Sequence, residues 1–250
     1  MSVTTEEVTL AVFRGDATGG EEVTYRVPVT PGMVVLDAIH WIQAHAANDL
    51  AVRWNCKAGK CGSCSAEVNG RPRLMCKSRV DAFAQGGVIH VRPMKAFPII
   101  KDLVTDVSWN YQVAKTIPSF APADQNVPWT IHSEDMERVQ EFRKCIECFL
   151  CQDVCHVLRD HEGKAAYNGP RYMVKIAALE MHPKDTLRRT SYLKGAGGVG
   201  YCNITKCCEE VCPEHIHITD NAIIPLKERV ADDYFDPVRF VLRVVSGKKS

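Results

Sequence analysis

The sequence has almost no charge of one sign to spare: 31 Lys and Arg face 30 Asp and Glu, a formal net charge of +1. A dedicated nucleic-acid binder draws affinity from an excess of cationic side chains, so nucleic acid is set aside as a partner. Long apolar runs are missing as well. No window approaches the roughly 18 apolar residues of a spanning helix, so this chain is not expected to cross a membrane by itself. The segment Met1-Ser2-Val3-Thr4-Thr5-Glu6-Glu7 lacks a basic stretch followed by an apolar core, and export by a signal peptide is not expected. Aromatic residues are few at 8%, yet 46% of the 250 residues are hydrophobic and 24% charged. Such a chain can bury roughly 70–75% of its unfolded surface as one large or two small globular domains.

One residue type is present in excess. Twelve cysteines are too many to serve only as core filling. Disulfides explain them poorly, because the chain is long, shows no export signal and can build a core without staples. The cysteines are also clumped: Cys56, Cys61, Cys64 and Cys76, then Cys145, Cys148, Cys151 and Cys155, then Cys202, Cys207, Cys208 and Cys212. Clumping of this kind points to metal ligation.

The flanking pattern places these groups in two modules. Residues Val8–Phe13 and Val23–Val27 alternate across two strand faces and are joined through Gly15–Gly20, which predicts a β-hairpin. Pro31-Gly32 breaks the strand, and Val35, Ile39, Ile42 and Ala46 then fall on one helical face. After the first cysteines, Ala66–Val68 and Arg73–Met75 flank Asn69-Gly70, the strongest short hairpin signal, and Val88–Val91 supplies another strand. A compact α+β module is expected to end near residue 105. Residues 116–132 carry Pro118, Pro122 and Pro128 without any period, and the linker is placed across 106–132. Beyond it the pattern is helical. Ser133 is the expected N-cap with Glu134 and Asp135 in the first turn, and Pro170 opens a helix with Tyr172, Ile176 and Leu179 on one face, stopped at His182-Pro183. A last helix is expected from Asp236-Pro237 with Phe240, Val241, Val244 and Val245.

In the first group, Cys56-x4-Cys61-x2-Cys64 with Cys76 further on has plant-type 2Fe-2S spacing. A loop around such a cluster must turn tightly and direct backbone N–H groups at the sulfurs, and Gly59 and Gly62 permit the positive φ this needs. Arg53, Lys57 and Lys60 add positive charge beside a negative cluster. The competing reading is zinc, but zinc ribbons pair two short Cys-x2-Cys knuckles, and a four-residue gap separates two ligands here.

The second group, Cys145-x2-Cys148-x2-Cys151-x3-Cys155, is a bacterial ferredoxin run, in which three thiolates hold one cubane and the fourth crosses to another. Counting back from Cys212-Pro213 at the same intervals finds Cys208, Thr205 and Cys202. The run is repeated with its middle cysteine replaced by threonine. Cys145, Cys148, Cys151 and Cys212 then suit 4Fe-4S, whereas Cys155, Cys202 and Cys208 suit 3Fe-4S, a cubane without the iron that position 205 would bind. Cys207 is left as a spare, expected to turn away because its neighbour Cys208 points at the cluster. His156 stands where a proline often follows the crossing cysteine, and its reading stays between a structural and a proton-handling histidine.

Other motifs are weaker. Gly195-Ala196-Gly197-Gly198-Val199-Gly200 satisfies G-x-G-x-x-G, but no strand precedes it and it runs directly into Cys202, so a flexible lead-in to a ligand is expected rather than a dinucleotide site. Arg188-Arg189 and Lys248-Lys249 are expected to be solvated surface, with contact to anionic lipid as the alternative.

Asn55-Cys56-Lys57-Ala58-Gly59-Lys60-Cys61-Gly62-Ser63-Cys64, Cys145-Ile146-Glu147-Cys148 and the run from Cys202 through Pro213 together resemble the iron–sulfur subunit of succinate dehydrogenase and fumarate reductase over essentially the whole chain. The resemblance implies an α+β fold class: an N-terminal β-grasp, 2Fe-2S ferredoxin-like domain over 1–105, the linker 106–132, and an all-α ferredoxin-like domain over 133–250 with the 4Fe-4S and 3Fe-4S clusters. It implies electron transfer without substrate chemistry in this chain and so no catalytic residue. The partners it implies are a flavoprotein subunit with FAD, a membrane-anchor cytochrome b subunit with haem b, and quinone. The implied location is the cytoplasmic side of a bacterial plasma membrane, peripheral through the anchor. Mitochondrial-type members carry a proline, a nearby tryptophan and a histidine where this chain has His156, no tryptophan and Asn203, so the resemblance is to the bacterial branch with a single-chain dihaem anchor. Two other classes stand beside it: an iron–sulfur subunit of another flavoprotein oxidoreductase, of glycolate or heterodisulfide type, and a zinc-binding scaffold.

Overall fold

Alternating apolar residues set the first two strands. In the structure, a computed structural model that describes residues 7–83, 87–122, 129–159 and 163–238, β1 (Glu7–Asp16) and β2 (Gly19–Pro28) form the expected antiparallel hairpin, extended beyond the alternating residues. Val8, Leu10 and Val12 point into the core. Helix α1 (Val35–His45) follows, with the Asp37 carboxylate accepting the Val34 amide at its start. Val35, Leu36, Ala38, Ile39 and Ile42 form its buried face. Ala46, expected on that face, is exposed, because the helix ends at His45 and the chain leaves the helical period; Ala47 and Leu50 are buried instead.

Strands β3 (Ser65–Val68) and β4 (Arg71–Leu74) close around Asn69 and Gly70, which stand at φ 49° and 72° as a tight hairpin turn demands. Strand β5 (Val88–Arg92) pairs in parallel with β1 and antiparallel with β3, so the sheet order is β2-β1-β5-β3-β4. A small second sheet, β6 (Ile99–Lys101) with β7 (Val104–Thr105), has no sequence period long enough to announce it. Between these strands the buried Asp102 carboxylate accepts Arg14 Nε at 3.1 Å and the amides of Gly15 and Ala51 at 3.0 and 2.8 Å. A buried charge is tolerated when it is paired and hydrogen-bonded in this way.

The chain divides into two compact units, which interleave in sequence. The first comprises Met1–Trp109, Ile146–Val154 and Val211–Glu214; the second comprises Asn110–Cys145, Cys155–Glu210 and His215–Ser250. The first unit therefore takes in α4 (Leu150–Val154). Its core gathers the sheet and α1 with Cys148, Leu150 and Val211.

The second unit is helical. The expected linker contains a helix, α2 (Ser108–Thr116), and residues 123–128 within it lie outside the described residues. Helix α3 (Ser133–Gln140) begins with His132 at the cap, so Ser133 is its first helical residue and not the cap; Glu134 and Asp135 do occupy the first turn. Short helices α5 (His156–Arg159) and α6 (Gly163–Ala166) lead to α7 (Pro170–Glu180), which opens on Pro170 as expected. Tyr172, Met173, Ile176 and Ala177 are its buried face, and it packs on a π-helical stretch, Ile218–Ile223, that continues into α10 (Ile224–Tyr234). Before that stretch come α8 (Thr190–Lys194) and α9 (Cys207–Glu210).

Arg189 corrects the expectation of a solvated basic patch. It is 1% exposed, with Nη2 donating to Asp185 at 2.7 Å and to the Ser119 carbonyl at 2.7 Å, and Nε donating to the Pro118 carbonyl at 2.9 Å. A planar guanidinium with a fixed fork of donors suits buried carbonyls brought from distant sequence. Its neighbour Arg188 is exposed and pairs with Asp233. The expected terminal helix lies outside the described residues from position 239 onward, as do Lys248, Lys249 and residues 1–6.

Candidate metal centres

Cys56, Cys61 and Cys64 of the first group occupy an irregular loop between α1 and β3. Within it the amides of Ala58 and Lys60 each donate to Cys56 Sγ at 3.3 Å, and the Cys56 amide donates to Cys61 Sγ at 3.5 Å. The Ala58 amide contributes most, and the Cys56 thiol is lowered to about 6, so a thiolate is favoured there at neutral pH. Gly59 and Gly62, at φ +68° and +70°, make the turns that aim these amides inward. Cys64 ends the loop beside Cys76, which sits in a 3-10 turn, Met75–Lys77, after β4; burial pushes the Cys64 thiol up to about 12. The structure thus gathers an exposed anionic sulfur at Cys56, a buried neutral thiol at Cys64 and the buried Cys76. Of the expected cations, Lys60 pairs with Glu214 at 3.3 Å, Lys57 lies over the Trp54 ring, and Arg53 reaches the Thr105 carbonyl.

Gly62 also meets the second group. A Cβ built on it would lie 2.6 Å from Cys148 Cα and 2.9 Å from Cys148 N, closer than a side chain can sit. Buried Ser65 donates from one hydroxyl toward the Gly62 carbonyl at 2.9 Å and the Cys148 carbonyl at 2.8 Å. Cys148, Cys151 and Cys212 all belong to the first unit, and Cys145 falls to the second. Neither the close approach nor Ser65 carries a signal in the linear sequence.

Three cysteines of the third group, Cys202, Cys207 and Cys208, line one cavity of the second unit together with Cys155 and Tyr167, whereas Cys212 belongs to the first unit. Cys202, Thr205, Cys207 and Cys208 all face it. Burial, as the main cause, pushes Cys155 up to about 11 and Cys208 up to about 12. Metal binding at such thiols must displace their protons. Cys207 does not stand apart as expected: it opens α9 on the same wall as Cys208, with Thr205 Oγ1 at 3.3 Å from its sulfur. At a helix's first residue the chain has not yet entered the helical period that was expected to separate the two. Cys208 Sγ lies 3.7 Å from Thr219 Oγ1.

The backbone records the repeat. Glu147 and Phe149 stand at φ 56° and 61°, on either side of Cys148; Ile204 and Lys206 stand at φ 63° and 61°, on either side of Thr205. Left-handed residues are rare for non-glycine types, and alternating them with right-handed neighbours turns successive N–H groups toward an anion. Both loops therefore carry left-handed residues at the same two positions, and Thr205 stands between them in one as Cys148 does in the other.

Tyr167 belongs to no sequence motif. It is 1% exposed, and its hydroxyl has no hydrogen bond of normal length and angle among the described atoms. Burial and the neighbouring Cys202, Cys155 and Cys208 sulfurs hold its phenol well above the usual value, so it keeps its proton. An orphaned buried donor facing three sulfurs is what a sulfur-bridged cluster would satisfy, and on that ground the residues present fit one. Among the described residues, no three His, Cys, Asp or Glu side chains surround a point as one bound ion would require. His156 is exposed at the cavity rim. The glycine-rich segment, expected as a flexible lead-in, is a packed turn: Gly197 and Gly198 are buried, and a Cβ on Gly198 would lie 1.7 Å from the Ala166 carbonyl oxygen.

Comparison with known proteins gives matches along most of the chain. The family model for the 2Fe-2S iron–sulfur cluster binding domain matches residues 9–112, and that for the 4Fe-4S dicluster domain matches residues 141–216. The fumarate reductase iron–sulfur subunit of Mycobacterium tuberculosis is 31% identical over 210 residues, 77% of this chain and 79% of that one. A polypeptide of the fumarate reductase (CoM/CoB) of Methanothermobacter marburgensis is 32% identical over 209 residues, 82% of this chain and 40% of that one. The chain thus spans about 40% of the length of that methanogen relative. Among solved structures, a chain of the Mycobacterium smegmatis Sdh1 complex in the apo form superposes with a TM-score of 0.91 at 59% identity, over 94% of this chain and all of that one.

Proposed function

We propose, for a chain that belongs to the iron–sulfur subunit family of fumarate reductases and succinate dehydrogenases, that it is the electron-transfer subunit of such a complex. It relays single electrons between the FAD of a flavoprotein subunit and quinone at a membrane anchor. In this reading Cys56, Cys61, Cys64 and Cys76 hold a 2Fe-2S cluster. Cys145, Cys148, Cys151 and Cys212 hold a 4Fe-4S cluster, and Cys155, Cys202 and Cys208 hold a 3Fe-4S cluster. The domains are a β-grasp ferredoxin-like domain over 1–105, supported by the sheet order and α1, and a ferredoxin-like helical domain over 133–250, joined by 106–132.

The clusters, when bound, supply the one-electron chemistry. This chain's own residues hold and orient. The Ala58 and Lys60 amides keep the Cys56 sulfur anionic at the exposed end of the first loop, the side from which a flavoprotein donor would approach. Cys64, Cys76, Cys155 and Cys208 are buried, so the sulfurs they would supply are kept from water. No helix among the described residues is long and apolar enough to cross a membrane. In this reading, attachment at the cytoplasmic face falls to a cytochrome b anchor with its haem b, and quinone binds beside the last cluster.

The single observation that carries the reading is the repeated turn with threonine at position 205, which supports a cubane one thiolate short. Iron and acid-labile sulfide analysis of the purified complex, with EPR, tests it. About nine irons per chain are expected, with an oxidised three-iron signal. Zinc without labile sulfide would overturn the reading. A missing three-iron signal in an intact preparation would make Cys207 the fourth ligand.

A further inference from the structure

We propose that the Tyr167 hydroxyl donates a hydrogen bond to a sulfur of the cluster held by Cys155, Cys202 and Cys208, and thereby raises the affinity of that cluster for an electron. The inference rests on the proposed three-iron ligand set. Four observations carry it. Tyr167 is almost wholly buried, its hydroxyl has no hydrogen bond of normal length and angle, it lines the cavity shared by the three cysteines, and the sulfurs of those cysteines are its neighbours.

Its position is over-determined from behind. The next residue, Asn168, donates from Nδ2 to Tyr192 Oη at 2.7 Å, and its amide donates to the Gly197 carbonyl at 3.3 Å. Gly198, at φ +62°, lets the backbone of residues 166 and 167 approach so closely that an added Cβ would lie 3.0 Å from Tyr167 Cα. The glycine-rich segment that imitates a dinucleotide motif therefore serves to seat Tyr167.

The chemistry is a one-electron change. A cluster held by Cys155, Cys202 and Cys208 would accept one electron, which would add negative charge to its sulfurs, and would pass the same electron on. No bond is made or broken, and the phenol keeps its proton throughout. A fixed O–H dipole aimed at the sulfur stabilises the more negative, reduced state, and hydrogen bonds to cluster sulfurs are a recognised lever on potential. Because the donor is built in, it costs no reorganisation when the electron arrives.

The test uses the intact complex with Tyr167→Phe, which removes one oxygen and keeps the ring. Potentiometric EPR of the three-iron centre should show electron occupancy at equilibrium falling about tenfold, equivalent to roughly 59 mV for one electron. Iron content and the potentials of the other two clusters should stay as in the wild type. Resonance Raman spectra of the wild-type complex should show Fe–S bands that shift in D2O, a shift lost in the variant. An unchanged potential with full iron would overturn the proposal. So would wild-type bands indifferent to D2O, a measurement that holds even if the variant assembles poorly. Absence of the three-iron signal from the wild type would overturn the ligand set, and the proposal with it.

Discussion

Gly59 and Gly62 offer a matched pair for testing how closely the first loop approaches the second cysteine group. Both stand at nearly the same positive φ, +68° and +70°, so replacement by alanine imposes the same backbone penalty at each, about 1–2 kcal/mol. What differs is the obstacle. A Cβ at position 59 meets the outer carbons of the exposed Lys77 side chain, which can swing aside. A Cβ at 62 meets the Cys148 backbone at 2.6 Å, which is held by Ser65 and by α4 just beyond it and cannot yield without displacing a sulfur. Overpacking against fixed atoms adds about 1–3 kcal/mol. With a shift of about 2–4 °C per kcal/mol for a chain this long, Gly59→Ala should lower the melting temperature of the complex modestly, and Gly62→Ala clearly more. The assay is thermal unfolding followed through the visible absorption of the clusters, with iron counted before heating. Gly62→Ala should also disturb the EPR of both the 2Fe-2S and 4Fe-4S centres, whereas Gly59→Ala touches only the first. Equal melting shifts, or a fully loaded and undisturbed Gly62→Ala complex, would refute the close approach.

Thr205→Cys should complete the run in a turn already shaped like that around Cys148, so the variant should gain about one iron and lose the oxidised three-iron EPR signal. Its new potential should be lower, each roughly 59 mV making electron arrival about tenfold less favourable, and quinone reduction should slow while an artificial acceptor nearer the flavin is still reduced. Asp102→Ala leaves the Gly15 and Ala51 amides without their acceptor while Arg14 keeps Asp49 and Tyr25, so a loss of about 1–3 kcal/mol is expected in denaturant unfolding of the complex; an unchanged stability would contradict the pairing described. His217 donates from Nδ1 to Glu141 at 2.6 Å, which raises the histidine pKa, while burial partly opposes the hydrogen bonds from His217 and Asn221 that lower the Glu141 pKa. The raised histidine stabilises the fold fully below its unfolded value near 6.5 and ceases to do so as pH rises through its folded value. His217→Gln should therefore lower the melting temperature at pH 6 and leave it unchanged at pH 9, and a difference that grows toward pH 9 would reverse the sign argued here.

The linear sequence determined what is local. Ligand spacing is local because a loop of a dozen residues must place its own sulfurs, so the three cysteine groups, the missing middle cysteine at 205 and the glycines at 59 and 62 could be read directly. The same holds for the Asn69-Gly70 turn and the proline that opens α7, since each is a demand on the backbone of one or two residues. Tertiary structure alone decided the rest. The parallel pairing of β1 with β5 joins strands some eighty residues apart. Arg189 looks like surface in sequence and is buried because carbonyls at 118 and 119 come to meet it. Cys148 lies with the first loop, and Cys207 on the wall of the cavity, because of which backbones pack together and not because of neighbouring residue types. Tyr167 has no motif at all. Its hydroxyl matters only because Gly198 lets two backbones touch and leaves a buried donor facing three sulfurs, and the energy of a buried polar group depends on partners that a one-dimensional pattern does not contain.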